Sequence, residues 1–166
     1  MTEQIKLILY RLLDKDLSIN DFEQFIYDNN QFKNEIQADF YLDLISLDYN
    51  NKGIYWDLLS KVESYIDKND FNLWRTKKLL ADIIENKVDL VFATRKLRDL
   101  YFATGEKLIP IRLGVGYESE LDELPIPDEY IQWNERELKE KLKKVDLYRD
   151  DIISDAKIFL DELNNK

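Results

Sequence analysis

The sequence predicts a mainly α-helical fold with one irregular segment. Apolar residues recur at helical spacing on both sides of residues 105–131, and short polar turns separate the periodic stretches. All three prolines and three of the four glycines lie within that segment, where they oppose a long helix. We therefore expect a single helical domain over residues 1–166, built as a bundle or as a short stack of antiparallel helix pairs.

Four helices are predicted before residue 70. In the first of them Ile5, Leu9 and Leu12 share one face, as core-facing residues of a helix do. Ser18 precedes the second helix as an N-cap candidate, and Gly53 lies in the turn before the fourth. The expected ranges are 3–14, about 19–27, about 35–47 and about 54–67.

Four more helices are predicted in the second half of the chain. Two of them, residues 71–86 and 88–104, precede the irregular segment. Asn134, with Glu137 three residues later, is typical of the capping box that opens a helix. That helix is expected to reach about Tyr148, and a separate last helix is expected from about Asp150 to Leu163.

The irregular segment is expected to hold short extended pieces. Residues 108–113 include Pro110 and are compatible with a short β piece at a sheet edge, the place in a sheet where proline is tolerated. Gly114 and Gly116 would then permit a tight turn. A phosphate-binding loop is not predicted here, because the third glycine and the Gly-Lys-Ser/Thr sequence are missing.

The composition argues against most enzyme classes. The chain has no histidine and no cysteine, which removes the commonest general base, the usual zinc ligands and the Ser-His and Cys-His nucleophile pairs. No catalytic residue, metal ligand or cofactor is therefore predicted. Asp39 and Asp43 stand at i and i+4, and such paired carboxylates leave a carboxylate- or metal-dependent enzyme as a weaker alternative.

The net charge of −10 indicates the kind of partner. Nucleic acids and anionic membrane surfaces both attract cationic proteins, so neither is expected as a partner. A basic protein is the natural counterpart. The first residues, Met1–Lys6, lack the basic start and apolar core of a signal peptide, so a cytoplasmic location is expected.

The predicted partner-binding surface lies in residues 117–133, which we call the acidic segment. Seven acids and no base lie between Arg112 and Arg136, and aromatic residues flank the acids. Tyrosine and tryptophan are enriched at binding hot spots, and ordinary core packing is the alternative for each of them. The predicted binding residues are Tyr117, Glu118, Glu120, Asp122, Glu123, Asp128, Glu129, Tyr130 and Trp133.

The chain resembles bacterial toxin immunity proteins of the small, acidic, helical type. Residues 113–117 (Leu-Gly-Val-Gly-Tyr), 121–125 (Leu-Asp-Glu-Leu-Pro), 133–135 (Trp-Asn-Glu) and the helical stretch 40–47 carry this resemblance. It implies a tight inhibitor of a toxin domain, often a basic nuclease, that covers the toxin's active site with acids in place of nucleic-acid phosphates. The acids of the acidic segment would supply charge, and its three aromatic residues would supply apolar anchors.

A helical-repeat scaffold or adaptor that binds a protein partner is the main alternative. The dipeptide Asp-Phe recurs at 21–22, 39–40 and 70–71, each time near a predicted helix start, as stacked helical hairpins would produce. The spacings are unequal, and the preference for polar residues at helix starts also explains the recurrence. This alternative predicts regular helix pairs and a groove away from residues 113–131.

Overall fold

The computed structural model describes residues 1–165 and has an all-α fold. The α-helices are α1 (Glu3–Leu13), α2 (Ile19–Asp28), α3 (Asn30–Glu35), α4 (Ala38–Ile45), α5 (Ile54–Tyr65), α6 (Lys68–Ile84), α7 (Leu90–Ala103), α8 (Tyr117–Leu121) and α9 (Glu135–Asn164). A π-helix, Arg112–Gly116, leads directly into α8, and a 3₁₀ helix, Pro127–Gln132, precedes α9. The mainly helical class predicted from the sequence is confirmed.

The contacts within the chain divide it into two compact units. Unit 1 comprises Met1–Phe71, and unit 2 begins at Asn72. The division falls within α6, so the first turn of that helix belongs to unit 1 and the rest to unit 2. Each unit has its own apolar core. The expectation of a single domain over the whole chain stays a prediction.

Unit 1 packs helices α1 to α5 around aromatic and aliphatic side chains. Side-chain caps set where its short helices begin, since Ser18 accepts a hydrogen bond from the Asp21 amide and Asn29 accepts one from the Phe32 amide. Phe40 of α4 stacks on Tyr65 of α5, with ring centroids 3.8 Å apart. The largest fully buried side chains of this core are Ile5, Leu9, Leu12, Phe22, Ile26, Phe32, Leu44 and Leu58.

Unit 2 packs α6, α7 and α9 together with the residues between α7 and α9. Asp89 caps α7 by accepting from the Phe92 amide, and Asn134 caps α9 by accepting from the Arg136 amide. The core includes Leu80, Ile83, Leu97, Leu113, Leu121, Ile152, Ala156 and Phe159. Residues of the irregular segment are therefore part of this core rather than a loop above it.

The short β piece expected over residues 108–113 is wrong, because the described chain, residues 1–165, contains no strand. Helical turns occupy much of the irregular segment instead. Pro110 accepts a hydrogen bond from the Gly114 amide at 2.9 Å, as a proline just before a helical turn can, because its missing N–H is not needed there. Gly114 then lets the π-helix lie against α7.

Two predicted helix boundaries are also wrong. The last two predicted helices form the single 30-residue helix α9, since residues near 149 include neither glycine nor proline and nothing in their chemistry ends a helix. The third predicted helix, about 35–47, corresponds to α4, which begins at Ala38, and the short helix α3 before it was not predicted. Asn29 opens α3, and the extended backbone of Ile36 and Gln37 separates α3 from α4.

Replacing Gly114 by alanine should destabilise the protein by about 1–3 kcal/mol, the usual cost of overpacking a core. A Cβ atom at this position would lie 2.6 Å from ring atoms of Tyr101, and both residues are buried. The measurement is the free energy of unfolding from urea denaturation.

Gly116→Ala is the matched control, because it changes the same residue type in the same π-helix. A Cβ there would meet Arg112 side-chain atoms at 3.6 Å, an ordinary contact distance. Alanine also has the higher helix propensity, so this variant should be as stable as the wild type or slightly more stable. Equal destabilisation by both variants would contradict the role assigned to Gly114.

Candidate partner-binding surface

The acidic segment runs along α7 and α9 of unit 2 and contains α8 and the 3₁₀ helix. Arg95 of α7 fixes its middle, because the guanidinium donates to the Asp122 carbonyl at 3.2 Å and to the Leu124 carbonyl at 2.7 Å. These carbonyls follow α8 and have no helical partner of their own. The Arg95 guanidinium therefore holds the residues that follow α8 against α7.

Tyr117 and Glu118 lie inside unit 2, so their expected position on a binding surface is wrong. Tyr117 is 3% exposed and Glu118 is 6% exposed. The Tyr117 hydroxyl donates to Asp155 of α9 at 2.7 Å, and the Glu118 carboxylate accepts from the Arg98 guanidinium of α7. A buried carboxylate needs such a partner to offset its lost hydration.

Three further predicted acids form contacts within the chain. Glu120 accepts from the Tyr148 hydroxyl at 2.9 Å, and Glu123 pairs with Lys144 at 2.9 Å. The pKa of Glu123 lies below its usual value because the Lys144 ammonium donates a hydrogen bond to its carboxylate. Glu129 accepts from the Ile126 amide at 3.0 Å and so closes the start of the 3₁₀ helix.

Tyr130 connects the 3₁₀ helix to the start of α7. Its hydroxyl donates to Asp89 at 3.0 Å, and the other oxygen of that carboxylate caps α7. Burial raises the pKa of Tyr130 to about 12, and the hydrogen bond to Asp89 acts in the same direction. The half-buried side chain of Tyr130 therefore holds the 3₁₀ helix against the start of α7.

Asp122 and Asp128 are the predicted acids that remain available to a partner. Both are exposed, and their carboxylates make no hydrogen bond or ion pair with residues 1–165. Side chains three residues apart line up in a 3₁₀ helix, so Asp128 and Ile131 project from the same side. Ile131 is 92% exposed, the most exposed large apolar residue of the described chain.

Trp133 lies at the edge of an open hollow at the start of α9. The hollow has a volume of roughly 530 Å³ and is lined by Trp133, Asn134, Arg136, Glu137, Glu140 and Lys141. The Lys141 ammonium lies 5.0 Å from the centre of a Trp133 ring, within the range of a cation–π interaction. Trp133 therefore lines an open cavity together with charged residues of α9.

Sequence reasoning missed Ile131 and the basic side of the hollow. Ile131 is not among the predicted binding residues, because its exposure depends on the 3₁₀ geometry, which α-helical periodicity does not reveal. The position of Lys141 was foreseeable, since residues 133, 137, 140 and 141 share a face of a helix that begins near Asn134.

The chain matches no protein-family model, no curated protein and no solved structure in the comparisons made with known proteins. Among residues 1–165 no helix combines the length and apolar character needed to cross a bilayer. The same residues contain no cluster of three or more acidic, histidine or cysteine side chains arranged to hold a metal ion.

Arg98→Ala should lower the free energy of unfolding by about 2–3 kcal/mol, because it leaves the buried Glu118 carboxylate without its cation. Adding Glu118→Gln to this variant should recover part of the loss, since the buried charge is then gone. Urea denaturation of both variants gives the comparison. Lys144→Ala, which breaks the exposed pair with Glu123, is the control and should change stability little. No recovery in the double variant would contradict this account.

Alkaline pH should weaken the contact between Tyr130 and Asp89. The pKa of Tyr130 is about 12 in the folded protein and about 10 in an unfolded chain, so the unfolded state loses the proton first. The stabilisation is complete below about pH 10 and disappears as the pH rises to about 12.

Thermal melting of wild type and Tyr130→Phe between pH 7 and pH 12 measures this effect. The difference in melting temperature between the two proteins should shrink above about pH 10, because phenylalanine has no proton to lose. A difference that stays constant up to pH 12 would show that the hydroxyl does not titrate as described.

Proposed function

We propose that this protein is an immunity-type inhibitor, which binds a basic toxin domain in the cytoplasm and neutralises it. The observation that carries the proposal is Ile131, an isoleucine that is 92% exposed and shares its side of the 3₁₀ helix with the free carboxylate of Asp128. An apolar side chain that is exposed in the free protein can become the buried centre of an interface, with charged residues at its rim.

The outward residues of the acidic segment form the proposed contact surface: Asp122, Asp128, Ile131 and Trp133. The backbone of these residues is held in place by the hydrogen bonds from Arg95 to the Asp122 and Leu124 carbonyls and by the Tyr130–Asp89 hydrogen bond. A surface that is ordered before binding loses less conformational entropy on association. This favours a tight inhibitor over a transient contact.

The negative net charge of the protein supports the proposal that its partner is basic. The chain carries −10 overall, and the carboxylates of the two exposed aspartates make no ion pair within residues 1–165. Opposite charge would speed association with a cationic toxin domain and would make that rate sensitive to salt. Aspartates at such a surface can occupy positions that nucleic-acid phosphates would take on a nuclease.

Co-expression with each open reading frame that adjoins its gene tests the proposal. One of these frames should be toxic alone and tolerated in the presence of this protein. The triple variant Asp122→Asn, Asp128→Asn, Ile131→Ser should reduce binding of that toxin by about 30-fold or more, since a central hot-spot residue contributes at least about 2 kcal/mol. Calorimetry with the purified toxin domain measures the affinity.

The matched control is the triple variant Asp150→Asn, Asp161→Asn, Leu147→Ser. It removes the same charge and one exposed apolar side chain, with Leu147 77% exposed, from the outer side of α9. Full affinity in the control and loss in the test variant would support the proposed surface. Loss in both would indicate a general effect of charge, and the absence of any toxic neighbour would overturn the immunity role.

A further inference from the structure

The outer face of α5 in unit 1 carries a large aromatic residue among acids and serines. Positions 56, 57, 60, 63 and 64 fall opposite the helix's apolar stripe and hold Trp56, Asp57, Ser60, Glu63 and Ser64, all exposed. The stripe itself is buried and consists of Ile54, Leu58, Leu59 and Val62. Trp56 is 72% exposed, and its ring makes an edge contact with Tyr55, with centroids 5.2 Å apart.

The charges of this face are one-signed and unpaired. The carboxylates of Asp57 and Glu63 make no hydrogen bond or ion pair within the described part of the chain. Lys61 is the single base on α5, and it turns to the Asp43 carboxylate of α4 at 3.2 Å. An exposed tryptophan thus lies on a helix face that has acids and no free base.

Unit 1 as a whole carries most of the protein's negative charge. Residues 1–71 contain 14 acids and 7 bases, a net charge of −7, whereas residues 72–166 contain 20 acids and 17 bases, a net charge of −3. The excess of acids in unit 1 favours a cationic partner for the surfaces of this unit.

We infer that the outer face of α5 is a second interaction surface, which binds an arginine-bearing basic segment of a partner protein. Guanidinium groups stack on tryptophan and pair with carboxylates, and Trp56, Asp57 and Glu63 offer both contacts along two turns of one helix. The face does not suit a second copy of this chain, since two units of −7 would repel. This inference and the proposed function both name a basic partner. They concern different surfaces, the outer face of α5 and the acidic segment.

NMR of the ¹⁵N-labelled full chain, titrated with an octa-arginine peptide at low salt, tests the inference. The protein has three tryptophans, Trp56, Trp74 and Trp133, and a Trp→Phe variant of each assigns its indole N–H signal. The Trp56 indole and the amides of residues 56–64 should shift and saturate. Asp57→Asn with Glu63→Gln should weaken binding about fivefold, as loss of two exposed ion pairs does.

The control pair Glu3→Gln with Asp28→Asn removes the same charge from exposed positions of unit 1 outside α5. It should weaken binding less than twofold, as a loss of long-range attraction alone does. Equal weakening by both pairs, or an unshifted Trp56 signal, would overturn the inference.

Trp56→Ser should reduce affinity with an unchanged melting temperature. The proposed function is tested separately, by co-expression and calorimetry with the toxin domain, so failure at α5 is distinguishable from failure of the proposed function.

Discussion

The close approach of Gly114 to Tyr101 is the constraint on which the arrangement of unit 2 depends. With no side chain at position 114, the π-helix backbone lies directly on the aromatic ring of α7, where a Cβ atom would come within 2.6 Å of it. The π-helix leads directly into α8, so this contact also sets the position of the residues that follow. Tyr117 then reaches Asp155 and Glu118 reaches Arg98.

Charge serves different purposes in the two units. In unit 2 the acids and bases are nearly balanced, and several pairs connect separate elements, as Arg98–Glu118 and Arg112–Asp155 do. In unit 1 the acids outnumber the bases two to one, and Asp57 and Glu63 stay unpaired. The bases of unit 2 thus neutralise most of its acids, while unit 1 keeps its excess of acids. Net charge alone could not distinguish these two uses.

The sequence predicted the helical class and most helices, because amphipathic periodicity and polar caps such as Ser18 and Asn134 are local signals. It did not predict the structure of residues 105–131. Proline and glycine there were interpreted as signs of extended chain, yet Pro110 starts a helical turn and Gly114 permits contact with a ring of α7. Proline is compatible both with an extended chain and with the start of a helical turn. The contact of Gly114 depends on Tyr101, which lies in another helix. For the same reason Glu118 and Asp128 look alike in the sequence, although Arg98 lies beside only one of them.

This division among the acids bears on how a binding role can be recognised. Glu118, Glu120, Glu123 and Glu129 all make contacts within unit 2, and loss of the buried Glu118 in particular would disturb the fold and any surface built on it. Asp122 and Asp128 make no such contacts, and a loss of binding after their substitution reports on the partner alone. The contacts of the first group keep Ile131 and Asp128 fixed in the unbound protein, which lowers the entropy cost of binding. The acids of the segment therefore fall into two groups: some make contacts that support the surface, and others are exposed on it and available to a partner.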